Sequence, residues 1–275
     1  SNVAKVITKY PYTANYSVKA NTNIHILKLA LEEGLNCDAM SVGEITLLMK
    51  AGFPVERIFF VPNNVAPCEL AFALENGVMT SLDSLSQLEL FGEVCNQMEI
   101  APENRKCAVR INPGVGAGHH EKVVTGGKKT KFGIAEYSIP QIFEIAEKYQ
   151  ITIAGINQHI GSLFMDPQPY LDAVTNLLRI AHQFKNLEFI DFGGGYGIPY
   201  HKLDDEKDFP MEDFKARLEP ILDDFVARYG KAPLFKSEPG RFCVAEGSVI
   251  LGRVHATKEN SGIQFAGTDV GMNVL

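Results

Sequence analysis

Residues 16–52 read YSVKANTNIHILKLALEEGLNCDAMSVGEITLLMKAG: a short apolar run, a longer amphipathic run, and then the same pair again. In the first long run, Ile24, Leu27 and Leu31 recur at helical spacing, and Gly34 is placed to end a helix. Each short run therefore predicts a β-strand, and each long run predicts an α-helix. Strict alternation of strand and helix is typical of a parallel sheet covered by helices.

The same alternation continues to residue 240. The further strand-like runs are RIFFVPN (57–63), VMTSLD (78–83), CAVRINP (107–113), IAGINQHIG (153–161), FIDFGGG (189–195) and PLFKSEPG (233–240). Together with YSVKA and CDAMSV they make eight strands, each associated with a helical run except the last. This count predicts an α/β fold of the TIM (β/α)8 barrel type. A doubly wound open sheet is the alternative for the same alternation.

The last 28 residues differ from the repeating part. Residues 248–275, SVILGRVHATKENSGIQFAGTDVGMNVL, read as a strand, a polar turn and a second strand, and they stop on an apolar run without a cap or closing helix. We therefore expect a barrel domain over residues 1–245. Residues 246–275 would be the beginning of a truncated C-terminal β-domain.

Composition narrows the class of protein. The chain has 275 residues, of which 45% are hydrophobic and 21% charged, and its net charge is -7. Because it has no basic run and no apolar stretch of about 20 residues, neither nucleic acid nor a membrane is expected as a partner. No secretory signal is recognisable. The five cysteines are scattered without metal-site spacing. We therefore expect a cytoplasmic protein without a structural metal.

Polar residues gather where the predicted strands end, which is where barrel enzymes carry their chemistry. These residues are Lys19, Asp38, Asn63, Asn64, Asp83, Arg110, His159, Gly193–Gly195 and Glu238. Asp38, Asn63 and Asp83 are explained equally well as turn or helix-cap residues. A lysine, an arginine, a histidine, a glutamate and a glycine loop at one barrel mouth nevertheless predict a catalytic site.

Lys19 closes the first predicted strand. Burying an ammonium is costly, so a lysine in a buried strand is usually paired, or neutral and used as a Schiff-base nucleophile. The alternative is a strand-end lysine whose head group reaches water.

The glycine run GGGYG (193–197) follows an apolar strand, so its backbone N–H groups could approach an anion. Ile198 stands where a dinucleotide-binding fingerprint needs its third glycine, and the phosphate-loop pattern of nucleotide-binding enzymes is missing. A small phosphorylated cofactor is therefore favoured over a nucleotide.

Two further motifs allow a structural and a functional interpretation. EPGR (238–241) is either an ion pair at a turn or a carboxylate that keeps a pyridine nitrogen protonated. His159, in QHIGS (158–162), is either a hydrogen-bonded core histidine or a ring that lines the mouth. Its position after a strand, before a glycine and a serine, favours the mouth.

Taken in order, Lys19, QHIGS, the GGG loop and EPGR resemble the fold-type III pyridoxal-phosphate decarboxylases, whose barrel is of the alanine-racemase-like type. The resemblance covers nearly the whole chain. Residues 110–134, RINPGVGAGHHEKVVTGGKKTKFGI, and the closing GTDVGMNVL (267–275) look like the diaminopimelate decarboxylase branch of that family. Ornithine and arginine decarboxylases lack the first of these motifs.

The resemblance implies pyridoxal 5'-phosphate as the cofactor and assigns roles to individual residues. Lys19 would hold the cofactor as an imine, His159 would stack on its ring, and Glu238 would pair with the ring nitrogen, making these three the catalytic residues. The other implied cofactor-binding residues are Gly193, Gly194, Gly195, Ser162 and Arg241 around the phosphate, with Asp38 and Arg110 near the cofactor.

The implied reaction is decarboxylation of meso-2,6-diaminopimelate to L-lysine and CO2 by a homodimer with shared active sites. Another decarboxylase or racemase of the same fold, acting on ornithine or arginine for example, is the first alternative. The second is a cofactor-binding domain that is inactive as an isolated fragment. It arises because, in the family, the groups that protonate Cα and grip the far end of the substrate come from the C-terminal domain and a second subunit.

Overall fold

Eight parallel strands form a closed barrel in chain order in the computed structural model, which describes residues 2–112, 114, 130–200 and 206–271. The strands are β1 (Tyr12–Ser17), β2 (Asn36–Ala39), β3 (Ile58–Phe60), β4 (Met79–Leu82), β5 (Lys106–Arg110), β6 (Thr152–Asn157), β7 (Phe189–Asp191) and β8 (Leu234–Ser237). The predicted TIM barrel is confirmed, and the open-sheet alternative is excluded because β8 pairs with β1.

Helices follow the strands and cover the outside of the barrel. They are α1 (Ile24–Glu32), α2 (Val42–Ala51), α3 (Pro67–Glu75), α4 (Leu85–Gln97), α5 (Ile139–Tyr149), α6 (Gln168–Ala181), α7 (Met211–Tyr229) and the short α8 (Arg241–Val244). Two begin at serine caps: the Oγ atoms of Ser41 and Ser84 accept backbone N–H bonds at 3.2 Å. Among the described helices, none is both long and apolar enough to cross a membrane.

The first strand differs from its predicted position. It begins at Tyr12 and ends at Ser17, and a 3-10 turn over Val18–Ala20 carries Lys19. At Ser17 the N–H still donates to the carbonyl of Pro239, at 3.1 Å, and the chain then turns. Lys19 therefore lies just beyond the end of the strand, as predicted, and it is exposed rather than buried.

A small apolar cluster inside the barrel, which we call the floor, consists of Phe59, Val61, Ala108 and Phe189. The rings of Phe59 and Phe189 come from strands on opposite sides of the barrel and meet edge to face with centroids 5.3 Å apart. Gly155 makes room for this contact, because a Cβ there would lie 2.3 Å from the Phe189 ring. The floor closes the barrel below its carboxyl-terminal mouth.

A separate antiparallel hairpin follows the barrel, formed by β9 (Val254–Asn260) and β10 (Ile263–Thr268). Ser261 and Gly262 both have positive φ, as a tight hairpin turn requires. The hairpin matches the predicted strand, polar turn and strand, and all of its residues are exposed. The final predicted apolar run extends into residues 272–275, outside the described part.

Candidate active site

A cavity of about 670 Å³ opens at the carboxyl-terminal end of the barrel strands. Several predicted site residues line it together, namely Lys19, His159, Ser162, Gly195, Glu238 and Arg241. Residues more than 200 positions apart in the chain thus meet because the strands of a TIM barrel all point their carboxyl ends to one mouth.

Glu238 follows β8 and is only 5% exposed. Its Oε1 atom is buried without a hydrogen-bond partner among the described residues. Burial, followed by the charge of Asp191, raises the pKa of Glu238 above the ordinary value of a glutamate. Three cations, those of Lys19, Arg110 and Lys236, oppose that rise. The site therefore offers a buried carboxyl oxygen that lacks a donor.

Lys19 faces the cavity from the 3-10 turn. Its positive charge acts on the groups around it: after burial, it is the next largest cause that lowers the pKa of His159. It also favours the ionised forms of Asp38 and Glu238. An exposed primary amine therefore stands beside two buried carboxyl groups and a histidine.

The glycine loop fits between two other loops so closely that side chains are excluded. A Cβ on Gly194 would lie 1.8 Å from the Glu238 carbonyl oxygen, and one on Gly195 would lie 2.4 Å from that of Gly161. Gly193 and Gly195 also have φ values of 76° and 114°, which favour glycine. Close packing of this loop against its neighbours therefore requires glycine at these positions.

Arg241 and Ser162 meet at the edge of the cavity. Arg241 donates from Nη2 to the Ser162 Oγ at 3.4 Å and from Nη1 to the hydroxyl of Tyr200 at 2.5 Å. Its Nε atom is buried without a hydrogen-bond partner among the described residues. Tyr200 also lines the cavity and was missed from the sequence. Its position in the sequence could have indicated this, because Tyr200 follows a few residues after the three glycines in the same loop.

His159 is half-buried in the wall of the mouth. The Gly194 N–H donates to its Nδ1 at 3.4 Å, so Nδ1 is an acceptor and the ring proton belongs on Nε2. Burial, with the charges of Lys19 and Arg110, holds the pKa of His159 well below its usual value. The ring is therefore neutral at neutral pH.

Asp38 and Arg110 are not among the described residues that line the cavity, but they are close enough to act on Glu238 through their charges. The Asp38 Oδ1 accepts a hydrogen bond from the Ser17 hydroxyl at 2.7 Å. The guanidinium carbon of Arg110 lies 4.8 Å from the ring centroid of Phe132, and Arg110 is buried. Both residues therefore lie behind the cavity wall.

Two other predicted strand-exit residues pair with each other. The Asn63 side-chain amide donates a short hydrogen bond to the Asp83 carboxylate, across β3 and β4. Neither residue caps a helix, because Ala66 and Ser84 are the N-cap residues of α3 and α4, and neither is among the residues that line the cavity. The GAGHH and TGG segments (116–120 and 125–127), on which the resemblance to one branch of the family depends, lie outside the described residues.

Asp191 and Lys236 are charged residues inside the barrel that the sequence interpretation missed. Asp191 ends β7, and Lys236 lies beside it in the register of β8. The signal was the two-residue period of a strand, which places Lys236 on the same face as Glu238.

Comparison with known proteins agrees with this geometry. Residues 1–245 match the family model described as "Pyridoxal-dependent decarboxylase, pyridoxal binding domain". A diaminopimelate decarboxylase of Methanothermobacter thermautotrophicus is 42% identical over 266 residues, which are 94% of this chain and 60% of that protein. One of Thermoplasma acidophilum is 33% identical over 281 residues, 100% of this chain and 65% of that protein.

A solved structure shows the same likeness in three dimensions. The diaminopimelate decarboxylase from Helicobacter pylori, complexed with L-lysine, superposes with a TM-score of 0.87 at 28% identity, covering 99% of this chain and 67% of that one. The chain thus spans about 60% of the length of the first of these relatives. Because the family model matches almost nine-tenths of the sequence, the chain belongs to the family of pyridoxal-dependent decarboxylases, through their pyridoxal-binding domain.

Proposed function

We propose that this protein decarboxylates meso-2,6-diaminopimelate to L-lysine and CO2 with the help of pyridoxal 5'-phosphate. The observation that carries the proposal is the pairing, in one cavity, of an exposed Lys19 amine with a buried Glu238 carboxyl that lacks a donor. The relatives named above, all diaminopimelate decarboxylases, support the choice of reaction.

The described residues fit pyridoxal phosphate group by group. A protonated pyridine nitrogen is a donor of the kind that the buried Glu238 Oε1 lacks. Gly195, which lines the cavity, and the buried Arg241 Nε suit a phosphate, whereas the N–H groups of Gly193 and Gly194 already donate to Asp191 and His159. When bound, this cofactor supplies the electron sink for the carbanion that loss of CO2 leaves behind.

The chain's own residues would prepare the site for that chemistry. Lys19 would bind the cofactor covalently through its amine, and Glu238 would hold a proton at the ring nitrogen. His159, being neutral, would cover one ring face without adding a positive charge next to Lys19. Ser162 and Arg241 would orient the phosphate, with Asp38 and Arg110 supporting Glu238 from behind.

The substrate and the assembly belong to the same proposal. The Helicobacter pylori enzyme is complexed with L-lysine, the product expected of this reaction, and we infer the same product here. We also infer a cytoplasmic homodimer with shared active sites. The hairpin over β9 and β10 would begin a C-terminal β-domain after residue 245, in agreement with the end of the family match.

Borohydride reduction tests the cofactor and the lysine. Reducing the protein after addition of pyridoxal phosphate should fix the label on Lys19, as read by peptide mass spectrometry. Lys19→Ala should lose both the label and the absorbance of the bound cofactor, because the only amine on the turn is removed. The exposed Lys50→Ala is the matched control and should keep both. A label on another lysine in the unchanged protein would overturn the assignment of Lys19.

A substrate panel tests the reaction. The full-length protein, loaded with pyridoxal phosphate, should release CO2 from meso-diaminopimelate and much less from ornithine, arginine or lysine. Turnover of ornithine without turnover of diaminopimelate would refute the substrate while leaving the cofactor assignment intact. Binding of the cofactor without CO2 release from any of these amino acids would refute the enzymatic proposal.

A further inference from the structure

Three ionisable groups lie together inside the barrel, between the floor and the cavity. Asp191, at the end of β7, is the direct register partner of Lys236 on β8. Glu238 stands two residues after Lys236 and therefore points to the same inner face. Asp191 is fully buried and Glu238 is 5% exposed. The interior of a TIM barrel is ordinarily filled by branched apolar side chains, so this cluster needs an explanation.

The ammonium group of Lys236 lies against the two aromatic rings of the floor. Its Nζ lies 3.9 Å from the ring centroid of Phe189 and 4.9 Å from that of Phe59, so two aromatic faces surround the ammonium. Burial lowers the pKa of Lys236, and the charges of Asp191 and Glu238 oppose that change. A cation in this position can neutralise one carboxylate inside the barrel.

The two carboxyl groups differ in what surrounds them. The Oδ1 of Asp191 accepts the Gly193 N–H at 2.9 Å, which stabilises an anion. One oxygen of each carboxyl, Asp191 Oδ2 and Glu238 Oε1, is buried and receives no hydrogen bond from another described residue, while a side-chain hydrogen bond between the two carboxyls favours the ionised form of Asp191. Burial raises the pKa of both groups, and the Asp191 charge raises that of Glu238 further. Burial and the neighbouring Asp191 outweigh the three cations that favour ionised Glu238, so the two adjacent carboxyls favour a single shared negative charge.

We propose that Lys236 and Asp191 are positioning residues for Glu238: Lys236 keeps Asp191 ionised, and the Asp191 carboxylate keeps a proton on Glu238 while the cavity holds no ligand. The cluster is then neutral overall, with one ammonium, one carboxylate and one carboxylic acid. Its relevance to a pyridine nitrogen rests on the proposed function, because Glu238 would carry its proton where that nitrogen is bound.

Other charged or titratable groups also face Glu238 and are part of its balance. They are Lys19 after β1, Asp38 on β2, Arg110 on β5 and His159 after β6. Arg110 lies in the same register row as Asp191 and Lys236, through Asn157, and all four groups stay unchanged when Asp191 or Lys236 is substituted.

Carboxyl NMR of the cofactor-free protein tests the proposal. The protein would be labelled with 13C at the glutamate carboxyls, and the Glu238 signal would be assigned by its loss in Glu238→Gln. In the unchanged protein this signal should titrate clearly above pH 5. Asp191→Asn should lower its midpoint by about one pH unit or more, because the neighbouring negative charge is removed. Lys236→Met should raise the midpoint, because the counter-ion is removed while the packing of the stem is kept.

The exposed Lys231→Met is the matched control for Lys236→Met and should leave the midpoint unchanged. A Glu238 midpoint near pH 4 in the unchanged protein, or one that moves in the same direction in both variants, would overturn the proposal. Circular dichroism would establish that each variant is folded. If Asp191→Asn does not fold, the direction of the shift in Lys236→Met decides alone. No cofactor is added, so this result is independent of the borohydride experiment on Lys19.

Discussion

Individual ionisable residues at the barrel mouth experience very different surroundings. Lys19 is exposed on a one-turn helix, whereas Glu238 is buried beside it and lacks a donor for one oxygen. His159 is neutral because burial and two cations disfavour its charged form. The barrel thus places a reachable amine next to groups whose charge states are fixed by burial, which is a common property of catalytic sites.

The lowered pKa of His159 predicts a pH effect on stability. The folded protein binds this proton more weakly than the unfolded chain, so stability due to His159 is present above about pH 6.5 and is lost as the pH falls below it. His159→Gln should therefore lose less stability than the unchanged protein between pH 7 and pH 5.5, as measured by urea unfolding. The exposed His25→Gln should behave like the unchanged protein. An equal acid sensitivity in His159→Gln would contradict the neutral ring.

At the scale of helices and strands, the packing of α4 against α5 depends on one glycine. A Cβ on Gly92 would lie 2.3 Å from the ring of Tyr149, so the ring lies directly on the helix backbone. Tyr149 is itself buried against this helix. The contact fixes the distance between the two helices that flank the long connection after β5.

Gly92→Ala tests this close packing. Alanine improves helix propensity by about 1 kcal/mol, but the clash with Tyr149 should outweigh that gain and destabilise the protein by about 1–3 kcal/mol. Gly43→Ala, in α2, is the matched control, since a Cβ there would lie 3.7 Å from the Ser41 Oγ, an ordinary contact distance. Urea unfolding should show the control to be unchanged or slightly more stable. A stabilised Gly92→Ala would show that the ring moves aside at no cost.

The sequence predicted all eight strands because alternation of apolar runs reports on burial along the chain. It misplaced the first boundary, since the Ser17 N–H at the end of β1 donates to the carbonyl of Pro239, more than 200 residues away in the chain. It also missed Lys236 and Asp191. The two-residue period places Lys236 on the same face as Glu238, but which face of a strand points inward is evident only once the barrel closes.

At the scale of the whole molecule, the site depends on closure of the barrel. The pairing of β1 with β8 brings Lys19 next to Glu238, and the hydroxyls of Tyr12 and Ser237 share a hydrogen bond of 2.6 Å across that seam. A ligand that contacts both sides of the seam would bind the folded chain and not the unfolded one. Binding at the mouth should therefore stabilise the entire barrel.

Thermal unfolding with and without pyridoxal phosphate checks this linkage. At a cofactor concentration 100 times its dissociation constant, the folded state should gain about 2.7 kcal/mol, and the midpoint should rise accordingly. Lys19→Ala should show a smaller rise at the same concentration, because it keeps only the non-covalent contacts. Pyridoxine without phosphate should have little effect. An unchanged midpoint with pyridoxal phosphate would contradict binding across the seam.

The aromatic floor has a consequence for the order in which molecules exchange. Because Phe59 and Phe189 are in contact across the interior, the barrel is closed below its carboxyl-terminal mouth. A ligand that binds first lies deeper in the cavity than one that binds second. The second ligand must therefore leave before the first can. A cofactor seated above Glu238 would be retained for as long as an amino acid occupies the mouth, and its exchange would slow as the amino-acid concentration rises.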